Sequence, residues 1–541
     1  MGQNPSHLDT SQEAPDQSSF FRSPLTLSLV ALMLGLLFEI LFDGHTIGIS
    51  FFIWATACVV ALMGLAASEG VRPSRPEVFI SLGILVFAGL TFFREEPMSV
   101  FLAIWPTLFL FGVWIHAFHR GRVIDYGWLD FTVATIQVPV EGWLRPWPVA
   151  SSAWRQVIGE REARSGVFAL LRGILLAFPL VVIFLGLLVS ADMIFADYVE
   201  EALRWLDIER IARFIRRLFV VILSALFFLG VLVAALRDSG KRKLIGFEKP
   251  VVSPFLGFVE AAVILASVDL LFAAFVAVQF TYLFGGEANI TAAGYTYSEY
   301  ARRGFGELTF LAFLSLGLIM ALGSWTKRQA PRQRAWFNGL SASLVGFMGV
   351  ILFSALKRLL LYEAAYGFTR LRTYTHVAIV WLGIMFAVFL ILLFLDRLRR
   401  FAPAAVLGML GFALTVNLLN VDAFIVRQNM RRFQDTGDID LPHMILLSTD
   451  ALPALIGFVD ELPSDTQEEL LPQLACQREM LEEHTKELSW QSTHWSRAQA
   501  AWAFESVAAQ LDSYEVEHNR DGWFVHVNGD DQLCYAYRYW D

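Results

Sequence analysis

Eleven apolar runs, each close to the length of a bilayer crossing, constrain this chain more than any other feature. They fall at about 24–42, 49–67, 78–93, 98–115, 167–190, 218–236, 256–284, 305–325, 337–356, 376–395 and 401–420. A helix rises about 1.5 Å per residue, so about 20 apolar residues cross a hydrocarbon core about 30 Å thick. Inside lipid every backbone polar group must be satisfied by the chain itself, which leaves helices as the form such runs take. The run at 78–93 is short enough for a tilted or partial span, and the run at 256–284 is long enough to begin outside the core. The expected fold is therefore an all-α polytopic membrane protein with about 11 transmembrane helices. Composition agrees: 56% of residues are hydrophobic and 17% charged, where a soluble domain carries about a quarter.

Charge divides the chain in two. Residues 434–541 hold 21 acidic and 5 basic residues, whereas the preceding part has a net charge of +7. This predicts three parts: a disordered polar tail at 1–23, a helical membrane body at 24–420, and an acidic soluble domain at 421–541. An acidic surface argues against nucleic acid as a partner, since that contact needs a basic footprint. In the soluble part, helical patterns occupy 450–462, 466–488 and 494–513, with Asp450 as an N-cap. The extended strings GWFVHVNG and DDQLCYAYRYW flank Asn528-Gly529-Asp530-Asp531 and predict a terminal β-hairpin.

Two further segments carry positional information. The stretch 116–166 is the longest loop, and its Trp128, Trp143, Trp147 and Trp154 place part of it at the interface. Residues 196–217 put Ile208, Ile211 and Ile215 on one face, the pattern of a helix lying on the membrane surface. Counting Lys and Arg in alternate loops gives 21 against 15, which favours a cytoplasmic N-terminus and an external C-terminal domain. Arg427, Arg431 and Arg432, just after the last run, pull the other way.

Three cysteines are too few for a metal–cysteine cluster or a disulfide scaffold. Cys58 lies in an apolar run and reads as packing, while Cys476 and Cys534 either pair in an oxidising space or stay free. The chain has no P-loop, no His-Glu-x-x-His and no Gly-x-Ser-x-Gly elbow, so no cofactor or metal is expected. His116 and His119, three apart, have no third ligand nearby.

Ionisable groups inside apolar runs are the default functional candidates, because each is costly in hydrocarbon. Glu260, Asp269 and Gln279 share one run; nine residues put the two carboxylates about 13 Å apart on opposite faces, so they form no pair. Each needs a partner on another helix or a water-filled path. Glu39, Asp192, Glu307, Asn417 and Asn420 read as interfacial or capping residues. The segment KRLLLYEAAYGFTRLRTYTH, 357–376, is dense in Tyr and Arg around Tyr362, Glu363, Tyr366, Gly367, Arg370 and Arg372. It reads either as an anchored surface loop or as a re-entrant turn lining an anionic site.

Several of these strings together resemble a bacterial membrane family, domain of unknown function 4173, close to 4153. The resemblance rests on SADMIFA (190–196), the run from Glu260 through QFTYLFGG (279–286), YSEYARRGFGEL (297–308), LYEAAYGFTRLR (361–372), NVDAFIVRQNMRRF (420–433) and LSTDALPAL (447–455). Met193 and Val421 depart from its pattern, where small residues or proline are expected. It implies a multi-spanning protein of the bacterial cytoplasmic membrane and no established reaction. It also implies that Glu260, Gln279, Tyr282, Tyr297, Tyr300, Arg302, Arg303, Tyr362, Glu363, Tyr366, Gly367, Arg370 and Arg372 are the positions to test. The expected role is a non-enzymatic scaffold or sensor, with the lipid bilayer as one partner and a protein on the acidic domain as another. The alternatives are a transporter of an ion or small solute, and an interfacial enzyme acting on lipid or envelope precursors.

Overall fold

The computed structural model describes residues 24–535 apart from 72–73, 119–121, most of 159–186, 206–207, 239–243, 246–252, 285–304 and 521. The expected tail at 1–23 and most of the run at 167–190 lie outside the described residues. The membrane body opens with α1 (Pro24–Phe42), α2 (Ile49–Ser68), α3 (Arg75–Phe93) and α4 (Pro97–Ala117). It continues through α5 (Trp128–Leu144), α6 (Pro146–Ile158), α7 (Met193–Trp205) and α8 (Ile208–Val233). A second set follows: α9 (Phe258–Phe284), α10 (Phe305–Trp325), α11 (Pro331–Tyr366), α12 (Arg370–Phe394) and α13 (Phe401–Leu419). Nine of the described helices are long and apolar enough to cross a membrane, and α10 adds an apolar stretch at Phe310–Trp325. The protein is a mostly helical, multi-spanning membrane protein.

Burial fits lipid as the solvent. Phe79, Leu270 and Phe310 are more than two-thirds exposed, while Ala55, Ile84, Ile319 and Phe389 are fully enclosed. Two apolar clusters fill the body, one among α1–α4 and α8, the other among α9–α12. Close approach of backbones governs the first. A Cβ on Gly230 of α8 would lie 2.0 Å from the Gly142 carbonyl oxygen of α5. One on Gly35 of α1 would lie 2.8 Å from the backbone nitrogen of Ala225 on α8. Lipid-embedded helices gain nothing from hiding apolar surface, so small residues that admit tight packing hold them together.

Three sequence expectations change. The surface helix at 196–217 is instead two helices, and 208–217 continues directly into the crossing of α8. Arg216 and Arg217 are tolerated there because they meet the end of α1: Arg216 Nη2 donates to Asp43 Oδ2 at 2.9 Å, and Arg217 sits 3.4 Å from Glu39. The loop at 116–166 contains α5, which packs between α4 and α8, while Trp143 and Trp147 stay exposed. The terminal hairpin is part of a three-stranded antiparallel sheet.

That sheet consists of β1 (Glu515–Asn519), β2 (Gly522–Val527) and β3 (Asp530–Leu533), with Glu515 opposite His526 and Val527 opposite Asp530. The β2–β3 turn falls at Asn528-Gly529, both at positive φ as a tight hairpin turn requires. Before the sheet come α14 (Val421–Thr436), the short helices Leu441–Ile445 and Leu452–Ile456, α15 (Ser464–Glu487) and α16 (Trp495–Ser506). Cys476 of α15 and Cys534 after β3 form a disulfide, their Cα atoms 5.8 Å apart. The third apolar cluster is shared between this unit and the body: Val416 of α13 joins Leu455, Leu474 and Phe504.

Gly230→Ala is expected to push α5 from α8 and to cost about 1–3 kcal/mol, the usual range for overpacking. Gly64, where a Cβ meets nothing within 4 Å, is the control. Thermal melting in detergent checks this: a drop for Gly230→Ala with no drop for Gly64→Ala is the expected result.

Candidate functional site at the joint between spans and C-terminal unit

The three-residue connection between α3 and α4, Arg94-Glu95-Glu96, is the centre of a buried polar network. Its sequence is dictated by its position. Glu96 caps α4, its carboxylate accepting from Met98 N at 3.0 Å and Ser99 N at 2.6 Å, with Pro97 at the first helical position. The short turn leaves the Glu95 and Glu96 amides free of helical partners. Both donate to Asp450 Oδ2 at 2.9 Å. Asp450 is thus not the helix cap its sequence position predicts, because these two amides from the membrane body take its carboxylate.

Around that contact the chain brings five distant segments together. Asp422, at the start of α14, is fully buried and accepts from Arg370 of α12 through both oxygens, at 2.7 and 2.5 Å. Ser448 donates to Asp422 from its amide at 2.8 Å and from its hydroxyl at 2.6 Å. Thr449 donates to Glu95, which also forms an ion pair with Arg497 of α16 (Nε to Oε1, 2.8 Å). Tyr374 of α12 donates to Glu96 at 2.5 Å. Arg94 Nε donates to the Asn417 carbonyl at 2.9 Å, and its Nη1 lies 3.8 Å from Asp450. Asn420 takes a left-handed conformation between α13 and α14 and donates to the Asp450 carbonyl at 3.2 Å. His494 Nδ1 lies 3.2 Å from the Arg94 carbonyl oxygen.

Four carboxylates, Glu95, Glu96, Asp422 and Asp450, therefore face Arg94, Arg370 and Arg497. Their environments pull them apart. Burial pushes Asp450 up to about 7, against the opposing effect of the Glu95 amide and Arg94. Burial also raises Glu95, but the Arg497 guanidinium outweighs it and holds the carboxyl below its ordinary value. Burial lowers His494, with Glu95 acting against the shift.

The candidates chosen from sequence mostly pair locally. Glu260 is exposed at the start of α9 and accepts from the Gly257 amide at 2.5 Å. Asp269 accepts from the Ser343 hydroxyl of α11 at 2.6 Å. Gln279 accepts from Arg358 at 2.6 Å and Ser354 at 3.2 Å, both on α11. Glu363 is buried, 3.5 Å from His376 of α12. The Arg372 guanidinium lies 4.2 Å over the Tyr362 ring, which meets the Tyr366 ring in a tilted contact, and Gly367 at φ 74° ends α11. Only Arg370 of this set enters the joint. Tyr297, Tyr300, Arg302 and Arg303 lie outside the described residues, as does the side chain of Tyr282. His116 meets Tyr126 at 2.8 Å, and His119 lies outside the described residues.

The sequence reading passed over Glu95, Glu96, Asp422, His494 and Arg497. A usable signal was present: a three-charge string compressed into the shortest connection between two spans, and acids at the heads of NVDAF and STDALP.

The profile of the family described as domain of unknown function (DUF4153) matches residues 81–457, well over half of the chain. The chain belongs to the DUF4153 family. The matched segment contains Arg94, Glu95, Glu96, Arg370, Asp422, Ser448, Thr449 and Asp450, and ends before α16 with His494 and Arg497. No curated protein matches the chain, and no solved structure does.

Arg370→Ala leaves Asp422 buried with Ser448 as its remaining donor, and a loss of about 3–5 kcal/mol is expected from the uncompensated charge. Asp450 gives a pH signature. Its folded value of about 7 exceeds the ordinary 3.8, so its contribution is complete below the ordinary value and is lost as pH rises through the folded one. Glu95, held below its ordinary value, contributes above that value and loses its share as pH falls. His494, also lowered, favours the fold above its ordinary value and disfavours it as pH falls. Melting curves of wild type and Asp450→Asn from about pH 5 to about pH 8 separate these effects. Wild type should lose stability relative to the variant as pH rises; parallel curves would discard the assignment.

Proposed function

We propose that this DUF4153-family chain is a membrane scaffold or sensor: a multi-spanning base that holds an acidic unit, residues 421–541, for a protein partner with a basic surface. The single observation that carries this reading is the joint. Five segments of body and unit are fastened through buried charge, so that the unit is held in one orientation. A protein that works only within the bilayer has no use for such a fixture. Asp465, Glu468, Glu469, Glu482, Glu483 and Glu487 are exposed along α15, a surface suited to steering a positively charged partner.

Within the same reading the protein sits in a bacterial cytoplasmic membrane with its N-terminus inside and the acidic unit outside. The Cys476–Cys534 disulfide supports this side for the unit, because such bonds persist in oxidising compartments. The division into a tail at 1–23 and a body at 24–420 belongs to this proposal, as does a finer kinship with domain of unknown function 4173. The transport alternative gains less support, since Asp269 and Gln279 are engaged pairwise by α11.

Two measurements check the proposal. In spheroplasts, a membrane-impermeant maleimide is expected to modify a thiol introduced at exposed Glu468 (Glu468→Cys); labelling that needs permeabilised membranes reverses the orientation. Separately, Glu468, Glu469, Glu483 and Glu487 changed together to Lys should lower proximity labelling of the partner by about tenfold, equivalent to about 1.4 kcal/mol. Unchanged labelling, or an ion or solute flux in proteoliposomes abolished by Asp269→Asn, would sink the scaffold reading.

A further inference from the structure

Residues 434–541 carry only five basic residues against 21 acidic ones, yet three of the five line a single pocket. This cavity of about 570 Å³ lies between α15 and α16 and is walled by Arg478, Lys486 and Arg497, with Glu482 and Glu505 beside them. Its floor is apolar, built from Leu481, Leu488, Ala501 and Phe504. Size is within the range of about 300–1,000 Å³ typical of ligand sites.

Two observations fix where the pocket opens. Ser489, Trp490, Ser492 and Thr493 form its lower wall, and these residues rest on the connection between α1 and α2. Ser489 Oγ lies 2.6 Å from His45 Nδ1, Ser492 Oγ donates to the Thr46 carbonyl at 3.1 Å, and Ile49 N donates to the Thr493 carbonyl at 3.1 Å. Trp490 and Trp502 are exposed beside it, and Trp495 packs on Phe92 at the end of α3, 6.4 Å between ring centres. Indole rings prefer the headgroup layer. The pocket therefore meets the bilayer at headgroup level.

The charges at its rim are not all spent inside the protein. Arg497 is held by Glu95 and Arg478 by Asp512. Lys486 is exposed and has no ion-pair partner among the described residues, and Glu482 and Glu505 are exposed as well. A site with an available ammonium and two available carboxylates is matched to a ligand carrying both signs. A purely anionic headgroup meets repulsion from the two glutamates.

We propose that this pocket binds the headgroup of a zwitterionic phospholipid bearing a primary ammonium, with its phosphate at Lys486 and its ammonium at Glu482 and Glu505. The apolar floor and the exposed tryptophans receive the glycerol end and the upper acyl chains. Phosphate oxygens accept from the lysine, and the ligand's N–H groups donate to the carboxylates, so every charge brought into the pocket finds a partner.

The test is native mass spectrometry of the full-length protein, offered equal amounts of phosphatidylethanolamine, phosphatidylcholine and phosphatidylglycerol. Wild type is expected to retain phosphatidylethanolamine several-fold over both others. Lys486→Ala should lower that retention, and Glu482→Gln with Glu505→Gln should shift preference toward phosphatidylglycerol. All three residues are exposed, so melting temperatures should stay at the wild-type value and confirm that the variants fold. Equal retention of the three lipids by wild type overturns the proposal, as does a preference that survives both variants. A co-purified peptide filling the pocket, in place of lipid, overturns it too.

Discussion

Burying Asp450 against the amides of Glu95 and Glu96 is the contact on which the rest of the assembly depends. Those amides belong to a turn too short to satisfy them within either helix, and a carboxylate is the acceptor best suited to two convergent N–H donors. Once Asp450 is seated, its neighbours are placed. Ser448 is delivered to Asp422, Thr449 to Glu95, and the short helix Leu452–Ile456 packs into the cluster that contains Val416 of α13. One polar contact thus registers an apolar core that spans body and unit. Removing water from such a charge has a steep cost, and the surrounding arginines and hydroxyls make that burial tolerable.

The body follows a complementary logic. Charges on the helices meet partners on their neighbours, as with Arg216 and Arg217 of α8 against Asp43 and Glu39 at the end of α1. Between the ends, contact is governed by Gly35 and Gly230, where a Cβ would collide with a neighbouring backbone, and by Gly142, where it would meet the Phe227 ring. Deep polar residues sit on the α9–α11 face and meet one another directly: Asp269 with Ser343, Gln279 with Ser354 and Arg358. Such pairs join helices as hydrogen-bonded contacts do in other bundles, where each contributes about 0.6–2 kcal/mol.

Span positions were legible because crossing a bilayer imposes a length and a composition that any window of the sequence exposes. The boundaries read from apolar runs agree closely with α1, α2, α4, α10 and α13. The extension at 208–217 was not legible, because an amphipathic string looks the same whether it lies on a membrane or leads into a span. What separates the two is Asp43 and Glu39, more than 160 residues earlier. The third strand was missed for a related reason: Glu515–Asn519 is polar, with every residue but Val516 exposed, so no alternation marks it. The joint was missed because its members come from residues near 95, 370, 422, 450 and 495, and each looks like ordinary punctuation in its own segment. Only Arg370 stood in a cluster dense enough to be noticed.

The same geometry decides how a change at the unit reaches the spans. His494 and Arg497 lie on α16, which also walls the headgroup-level pocket, and both reach the Arg94–Glu95 turn. That turn is continuous with α3 on one side and α4 on the other. Helix α16 therefore touches the turn between two span ends through one ion pair and one histidine contact, and Asp450 takes the amides of the same turn. The α9–α11 pairs lie in the second set of helices, where Asp269 meets Ser343 and Gln279 meets Ser354 and Arg358.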